Sequence, residues 1–301
     1  MKKKYGLKTI DCSGMSYNGY RWDLSEGAVN TAPDWSTDSH CGGGLHFALN
    51  GNGDGSLFRW DSNVIWVVAE LQGQIINLCG KVKCKSCKIV YAGNREDATN
   101  KIKILTGSHS VIGSTNTGGD VSTNSGGDWS TNTGGDRSTN TGGDVSTNSG
   151  GYRSTNTGGN WSTNTGGDWS TNTGGYGSTN TGGNWSTNSG GDRSTNSGGY
   201  RSTNTGGDRS INTGGDVSTN TGGDRSTNTG GDWSTFKAGS WGRCHCYGAQ
   251  CYWIVEEGTI FTMSWYDNER PKFAGLIGKK KYHGKKVKII KGEIVGGING
   301  I

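Results

Sequence analysis

The sequence predicts a mainly β fold: a β-solenoid of sixteen octapeptide units, two to a coil, between a small N-terminal α+β or β cap domain and a C-terminal β cap. Three observations predict it. Serine recurs at every eighth position from Ser114 to Ser234 without a slip of register. The 301 residues include 57 glycines, 2 prolines and only 29% hydrophobic residues, too little apolar matter for two ordinary cores. Apolar runs such as Val64-Ile65-Trp66-Val67-Val68-Ala69 are confined to the flanks of the repeat.

In chain order, the N-terminal domain spans 1–107. Its opening, Met1-Lys2-Lys3-Lys4-Tyr5-Gly6-Leu7-Lys8, is basic, but no apolar stretch long enough for a signal peptide or a membrane span follows. A soluble protein, cytoplasmic or virion-associated and without membrane contact, is therefore expected. Trp22, Trp35, Trp60 and Trp66 supply material for a core here. The most distinctive segment is Cys41-Gly42-Gly43-Gly44-Leu45-His46-Phe47, with Gly80-Lys81-Val82-Lys83 further on. It resembles the N-terminal region of a family of uncharacterised bacterial and phage proteins sharing a Cys-Gly-x-Gly-Leu-His stretch, which implies a phage accessory protein and no particular activity. Gly43-Gly44-Leu45-His46-Phe47-Ala48 also loosely resembles the Gly-Lys-Gly-x-Tyr-Phe-Ala stretch of ADP-ribosyltransferases. That resemblance implies, as an alternative, an enzyme using His46 and Glu70, although a histidine stands where that family has tyrosine.

The central domain, 108–237, repeats Ser-Thr-Asn-Thr/Ser-Gly-Gly-x-x, as in Ser130-Thr131-Asn132-Thr133-Gly134-Gly135-Asp136-Arg137. The composition also fits a flexible linker, but a linker needs no phase, and here variation is nearly confined to the two x positions. Gly-Gly is read as the positive-φ corner of a tight turn, and x-Ser-Thr-Asn-Thr as one strand. Alternation then turns the second x, Thr and Thr/Ser to water, because no narrow interior accepts Val121, Trp129 and Arg137 at one position. Ser and Asn point inward, where stacked copies can bond from coil to coil. Two units per turn make about eight coils stacked over ~38 Å at ~4.8 Å each; a triangular coil of three units is the alternative.

Outward Thr115, Thr117, Thr123, Thr131, Thr133, Thr139 and Thr141 form the first candidate site. They would stand ~6.8 Å apart along a strand and ~4.8 Å apart between coils. The octad, most closely at Gly174-Gly175-Tyr176-Gly177-Ser178-Thr179-Asn180-Thr181, resembles the Ala-Gly-Tyr-Gly-Ser-Thr-x-Thr unit of bacterial ice nucleation proteins. The resemblance implies paired threonines that order water, so ice or ordered water is the first expected partner, with Trp and Arg beside the threonines roughening the face. Trp129, Trp161, Trp169 and Trp185 with Arg137, Arg193 and Arg209 form the second candidate set, suited to stacking on a glycan, a nucleic acid or a protein surface. Gly-Gly-Asp suggests a calcium roll, but the second Gly-x-Asp spacing and the apolar inward residue are missing. No cofactor or metal is expected.

The C-terminal cap, 238–301, begins where the octad decays into Cys244-His245-Cys246. Cys251–Glu256 and Thr259–Trp265 read as strands, and a lysine-rich hairpin follows. The repeat carries ten Asp and six Arg, so the net charge of +5 lies in the flanks, much of it in Lys279-Lys280-Lys281-Tyr282-His283-Gly284-Lys285-Lys286. Such a tail is either a solvated hairpin or a nucleic-acid contact. Cys79, Cys84 and Cys87, and Cys244, Cys246 and Cys251, are read as buried free thiols in preference to zinc ligands, since zinc takes four. The chain as a whole is read as a non-enzymatic structural or binding module.

Overall fold

Two-residue alternation in Trp66-Val67-Val68-Ala69 gives one strand two apolar faces, and the N-terminal domain is built on both. The computed structural model describes residues 3–16, 19–254, 256, 258–267, 270–277, 286–291 and 293–298. Strands β1 (Lys4–Ile10), β2 (Val29–Thr31), β3 (Leu45–Leu49), β4 (Ile65–Asn77) and β5 (Val82–Gly93) form one antiparallel sheet. The pairings β1–β3, β3–β5, β5–β4 and β4–β1 close on themselves, and β2 extends β5. Val67, Ala69 and Leu71 pack with Ile10, Trp22, Phe47 and Ile89. On the other face Trp66 and Val68 pack with Leu7 and with Ala98 and Ile102 of helix α1 (Arg95–Thr106), so the domain is α+β. Asn94 caps the helix by accepting from the Asp97 N–H, and Gly107, at φ 69°, ends it.

Close packing divides the chain into Met1–Asn116 with Ser125–Asn132 and Gly142–Asp144, and a second unit of Thr117–Asn124, Thr133–Thr141 and Val145–Ile301. The repeat forms sixteen short strands, from β6 (Thr115–Thr117) and β7 (Thr123–Ser125) at eight-residue steps to β21 (Thr235–Lys237). Even-numbered strands make one parallel sheet and odd-numbered strands the other. In the odd sheet Thr171 pairs with Thr187 and Asn172 with Asn188, and in the even sheet Thr163 pairs with Thr179. Partners are therefore two octads apart, which is the flattened coil and excludes the triangular one. Ser and Asn of each unit are buried, as expected. Asn172 Nδ2 donates to Ser170 Oγ at 3.1 Å, to the Thr181 carbonyl at 2.9 Å and to Asn188 Oδ1 at 2.8 Å, and the same pattern recurs from coil to coil. The interior is thus a polar ladder in which each inward amide has its partners.

The corner differs from the expectation in two ways. The residue with positive φ is the second x, not a glycine of the pair: Val121, Trp129, Arg137 and their counterparts through Trp241 have φ between 54° and 61°. Only at Gly177, φ 64°, is that position a glycine. The paired glycines are required for room instead. A Cβ on Gly174 would lie 2.5 Å from both Cβ and Oγ of Ser178, and one on Gly183 would run into Asp168 Oδ1. Because a left-handed residue ends an extended run, the strands are of three or four residues, not five, and the x residues make the turn. The second x therefore stands at the edge of the coil and not beside the threonines.

The first x has its own task. Asp168 Oδ1 accepts the Asn184 N–H at 2.7 Å, Asp192 Oδ1 that of Asp208 at 2.9 Å, and Asp208 Oδ1 that of Asp224 at 2.8 Å. An acidic or amide side chain here satisfies a main-chain donor of the next coil, which explains why all ten aspartates of the repeat occupy this position. At the second x, a β-branched residue held left-handed is strained, whereas asparagine tolerates that region. Val217→Asn is expected to raise stability by about 1 kcal/mol, read as a higher urea midpoint; an unchanged or lower midpoint would count against strain at this corner.

The solenoid spans about nine turns over residues 115–264, because the cap continues it. Strands β22 (Arg243–Tyr247), β23 (Gln250–Ile254) and β24 (Ile260–Asp267) pair in parallel with the strand one coil earlier. The interior changes chemistry along the way. Asn220 is followed in register by Phe236 and Trp253, and Asn228 by Cys244 and Phe261. These side chains pack with Met263, Val287 and Ile289 into an apolar plug that ends the ladder. Antiparallel β25 (Arg270–Ile277) extends one sheet from β24, and antiparallel β26 (Lys286–Ile290) and β27 (Glu293–Ile298) extend the other from β23, so parallel growth stops there.

Candidate functional site

Backbone register decides which surface of the solenoid is regular. The seven threonines from Thr115 to Thr141 named above are all exposed. The two faces are nevertheless unequal. Between Thr139 and Thr221 on the odd-numbered strands one rank reads Thr139, Thr155, Thr171, Thr187, Thr203, Thr219, and the other is threonine at each coil except for Ser189; outside those limits Ser125 and Lys237 interrupt the second rank. The even-numbered face is broken by Ser149, Ser197 and Ile211. Between Thr139 and Thr221 neither odd rank contains a charged residue, and each is held in register by the ladder beneath it.

The aromatic and cationic residues lie along the corners. On one edge Trp169 and Trp185 stack at 4.9 Å with an interplanar angle of 2°. Arg153 sits 5.8 Å from Trp169 and Arg201 sits 4.5 Å from Trp185, so both outer ring faces carry a guanidinium. On the other edge Trp161 meets Tyr176 edge-on at 5.3 Å, and Arg193 lies 5.5 Å from Tyr176. Trp129 is stacked on Trp60 at 4.6 Å. Trp161, 60% exposed, is the most open of the four tryptophans. Arg137 and Arg209 are exposed at their corners. The structure thus separates the two candidate sets: threonines on flat faces, aromatics and arginines on edges.

The cysteines are corrected in part. Cys246 and Cys251 form a disulfide, not two free thiols. Their strands are adjacent in sequence but belong to opposite sheets, which brings the two side chains together inside the last coils. Cys79 is exposed, while Cys84, Cys87 and Cys244 are buried thiols, each pushed up to about 12 by desolvation. His245 turns to Thr262 Oγ1 at 2.6 Å and Ser264 Oγ at 3.2 Å. Among the described residues no group of three or more His, Cys, Asp or Glu is placed to hold a metal ion.

His46 and Glu70 are not brought together. Glu70 is opposite Tyr5 and ion-paired with Lys3 at 2.9 Å, whereas His46 is opposite Lys83 on β3 and lines a cavity to which Glu70 does not contribute. The run Lys279 to Lys285 lies outside the described residues. Sequence reading missed the surroundings of that cavity, namely Lys8 and Arg59; the available signal was a lysine at Lys8 directly following buried Leu7 in a strand otherwise headed for the core. Comparison with known proteins finds no matching family model, no matching curated protein and no matching solved structure.

Proposed function

We propose that the protein is a non-enzymatic binding module whose solenoid orders water, and adsorbs to ice, through the threonine face of the odd-numbered strands. One observation carries this reading: from Thr139 to Thr221 six successive coils present two uncharged ranks, threonine at every place but Ser189. Each threonine offers a methyl group and a hydroxyl, and main-chain pairing fixes the ranks ~4.8 Å apart from coil to coil. A surface whose polar groups are fixed in a lattice can hold water in a lattice, which a mobile polar surface cannot. Placement of Trp and Arg on the edges leaves this face unroughened. The resemblance of the octad to the repeat of ice nucleation proteins supports the same reading. Stacking on a glycan or nucleic acid at the edges has less support, because the faces of Trp169 and Trp185 are already covered by each other and by arginine.

The test compares ice recrystallisation by the full chain with two paired variants. Thr171→Lys/Thr187→Lys, on the odd face, is expected to lose at least about tenfold in inhibitory activity, since a mobile charge breaks the lattice. Thr163→Lys/Thr179→Lys, on the even face, is expected to retain it. Equal behaviour of wild type and an inert control protein sinks the proposal.

A further inference from the structure

The N-terminal domain contains a cavity of about 420 Å³ and another of about 410 Å³ that share Lys8, Ser16 and His46. Several nitrogen atoms around them are without partners among the described residues. Lys8 makes no ion pair; its ammonium lies 4.1 Å from the centre of the Trp22 ring and 5.5 Å from that of Phe47. Trp22 is 5% exposed, lines the second cavity, and has a buried Nε1 with no acceptor. His46 Nε2 is likewise buried and unbonded. A buried polar atom left unpaired costs about 1–3 kcal/mol, so two of them, Trp22 Nε1 and His46 Nε2, next to the half-buried Lys8 ammonium mark a place where a polar group binds.

The charges agree. Lys8, Arg21, Arg59 and Lys81 line the two cavities, against only Asp34 and Asp54. Arg59 lies 3.9 Å from Asp11, a long contact, and Lys81 donates to Cys41 Sγ at 3.0 Å. The loop carrying Cys41 is fixed from below by buried Lys83, whose Nζ reaches Asp38 Oδ1 at 3.0 Å and the carbonyls of His40 and Gly42. The site is therefore preformed, cationic by two charges, and floored by Phe47 and Phe58.

We propose that these cavities bind a small organic dianion, a phosphate monoester with an apolar body, whose head group accepts from the Lys8 ammonium and the Trp22 Nε1–H, beside His46. The site is separate from the threonine face and does not depend on it. Burial holds Lys8 down at about 8, and burial followed by the charges of Lys81, Lys8 and Lys83 holds His46 at about 4. Cys84 and Cys87, which also act on Lys8, stay protonated to about 12. A phosphate monoester is mainly dianionic above pH ~6, so affinity is greatest near pH 7 and falls as pH rises through 8 and Lys8 loses its charge.

Calorimetric titration of the full chain with phenyl phosphate, and with benzyl alcohol as the neutral analogue, tests this. Saturable binding of phenyl phosphate is expected, at least about tenfold tighter than benzyl alcohol. Lys8→Met should weaken it at least about tenfold. Trp22→Phe, which removes one N–H and keeps a ring, should weaken it about fivefold, and neither change should alter ice activity. Absence of saturable binding, equal binding of the neutral analogue, or full affinity in Lys8→Met overturns the proposal.

Discussion

Asn172→Asp is expected to cost about 3–5 kcal/mol at neutral pH, the range for an uncompensated charge in a buried network. Asparagine at this place both gives and takes: Nδ2 donates to Ser170 Oγ, the Thr181 carbonyl and Asn188 Oδ1, while Oδ1 accepts from Asn156 Nδ2 at 2.8 Å. Aspartate has nearly the same shape and no donor. It keeps the bond from Asn156 and sets a carboxylate oxygen against the Thr181 carbonyl and Asn188 Oδ1, neither of which can donate, while the Ser170 hydroxyl can turn to it. Burial and those facing acceptors disfavour the charged form, so the folded-state pKa of Asp at 172 lies above its unfolded value of ~3.9. The penalty is then absent below the unfolded pKa and grows as pH rises toward the folded one. Urea unfolding of the variant, always compared with wild type at the same pH, should show a large deficit at pH 7 and a much smaller one at pH 4. A deficit independent of pH would mean that lost shape and not charge is responsible; no deficit would mean that the ladder is not there.

The inward direction of Ser and Asn was legible because the second x takes Val, Trp and Arg in turn, and only water tolerates all three. Two against three units per coil stayed open in the residues, because both give the same eight-residue phase, whereas the flanking caps followed from the apolar residues that the repeat lacks. What the residues concealed were choices between two physical causes with one sequence signature. Glycine is equally the residue of positive φ and the residue of close approach, and nothing in Gly-Gly says which. The left-handed second x runs against the preferences of Val121 and Trp169, and is imposed by main-chain bonds such as that from Trp169 N to the Asn184 carbonyl at 2.8 Å. Those bonds exist only once the coils are stacked. The threonine face was half legible, since exposure followed from alternation, whereas its flatness depended on where the x side chains go. The cation-lined cavities were hidden for a different reason. Lys8, Trp22, His46 and Arg59 come from separate segments, and antiparallel pairing of β1 with β3 is what places the first and third side by side.

The choice between the two roles of glycine can be settled at Gly183. Here the residue does not have positive φ, and an added Cβ would meet Asp168 Oδ1 and stand 2.8 Å from the Asp168 nitrogen. Both of those atoms are main-chain or tied to the main chain, for Asp168 Oδ1 accepts the Asn184 N–H; neither can move without opening the coil contact. Gly183→Ala is therefore expected to cost about 3 kcal/mol, the upper end for inserting a carbon into a packed site. Gly183→Asn discriminates. Were the glycine present for its left-handed freedom, asparagine would be the mildest replacement, milder than alanine. With room as the cause, asparagine carries the same Cβ and more behind it, and should be at least as damaging as alanine. Urea midpoints of the two variants in the full chain give the order directly. Asparagine milder than alanine would return the corner to glycine and leave the observed φ values at Val121, Trp169 and their counterparts without a physical basis; alanine no worse than wild type would show that the coils are not packed this closely.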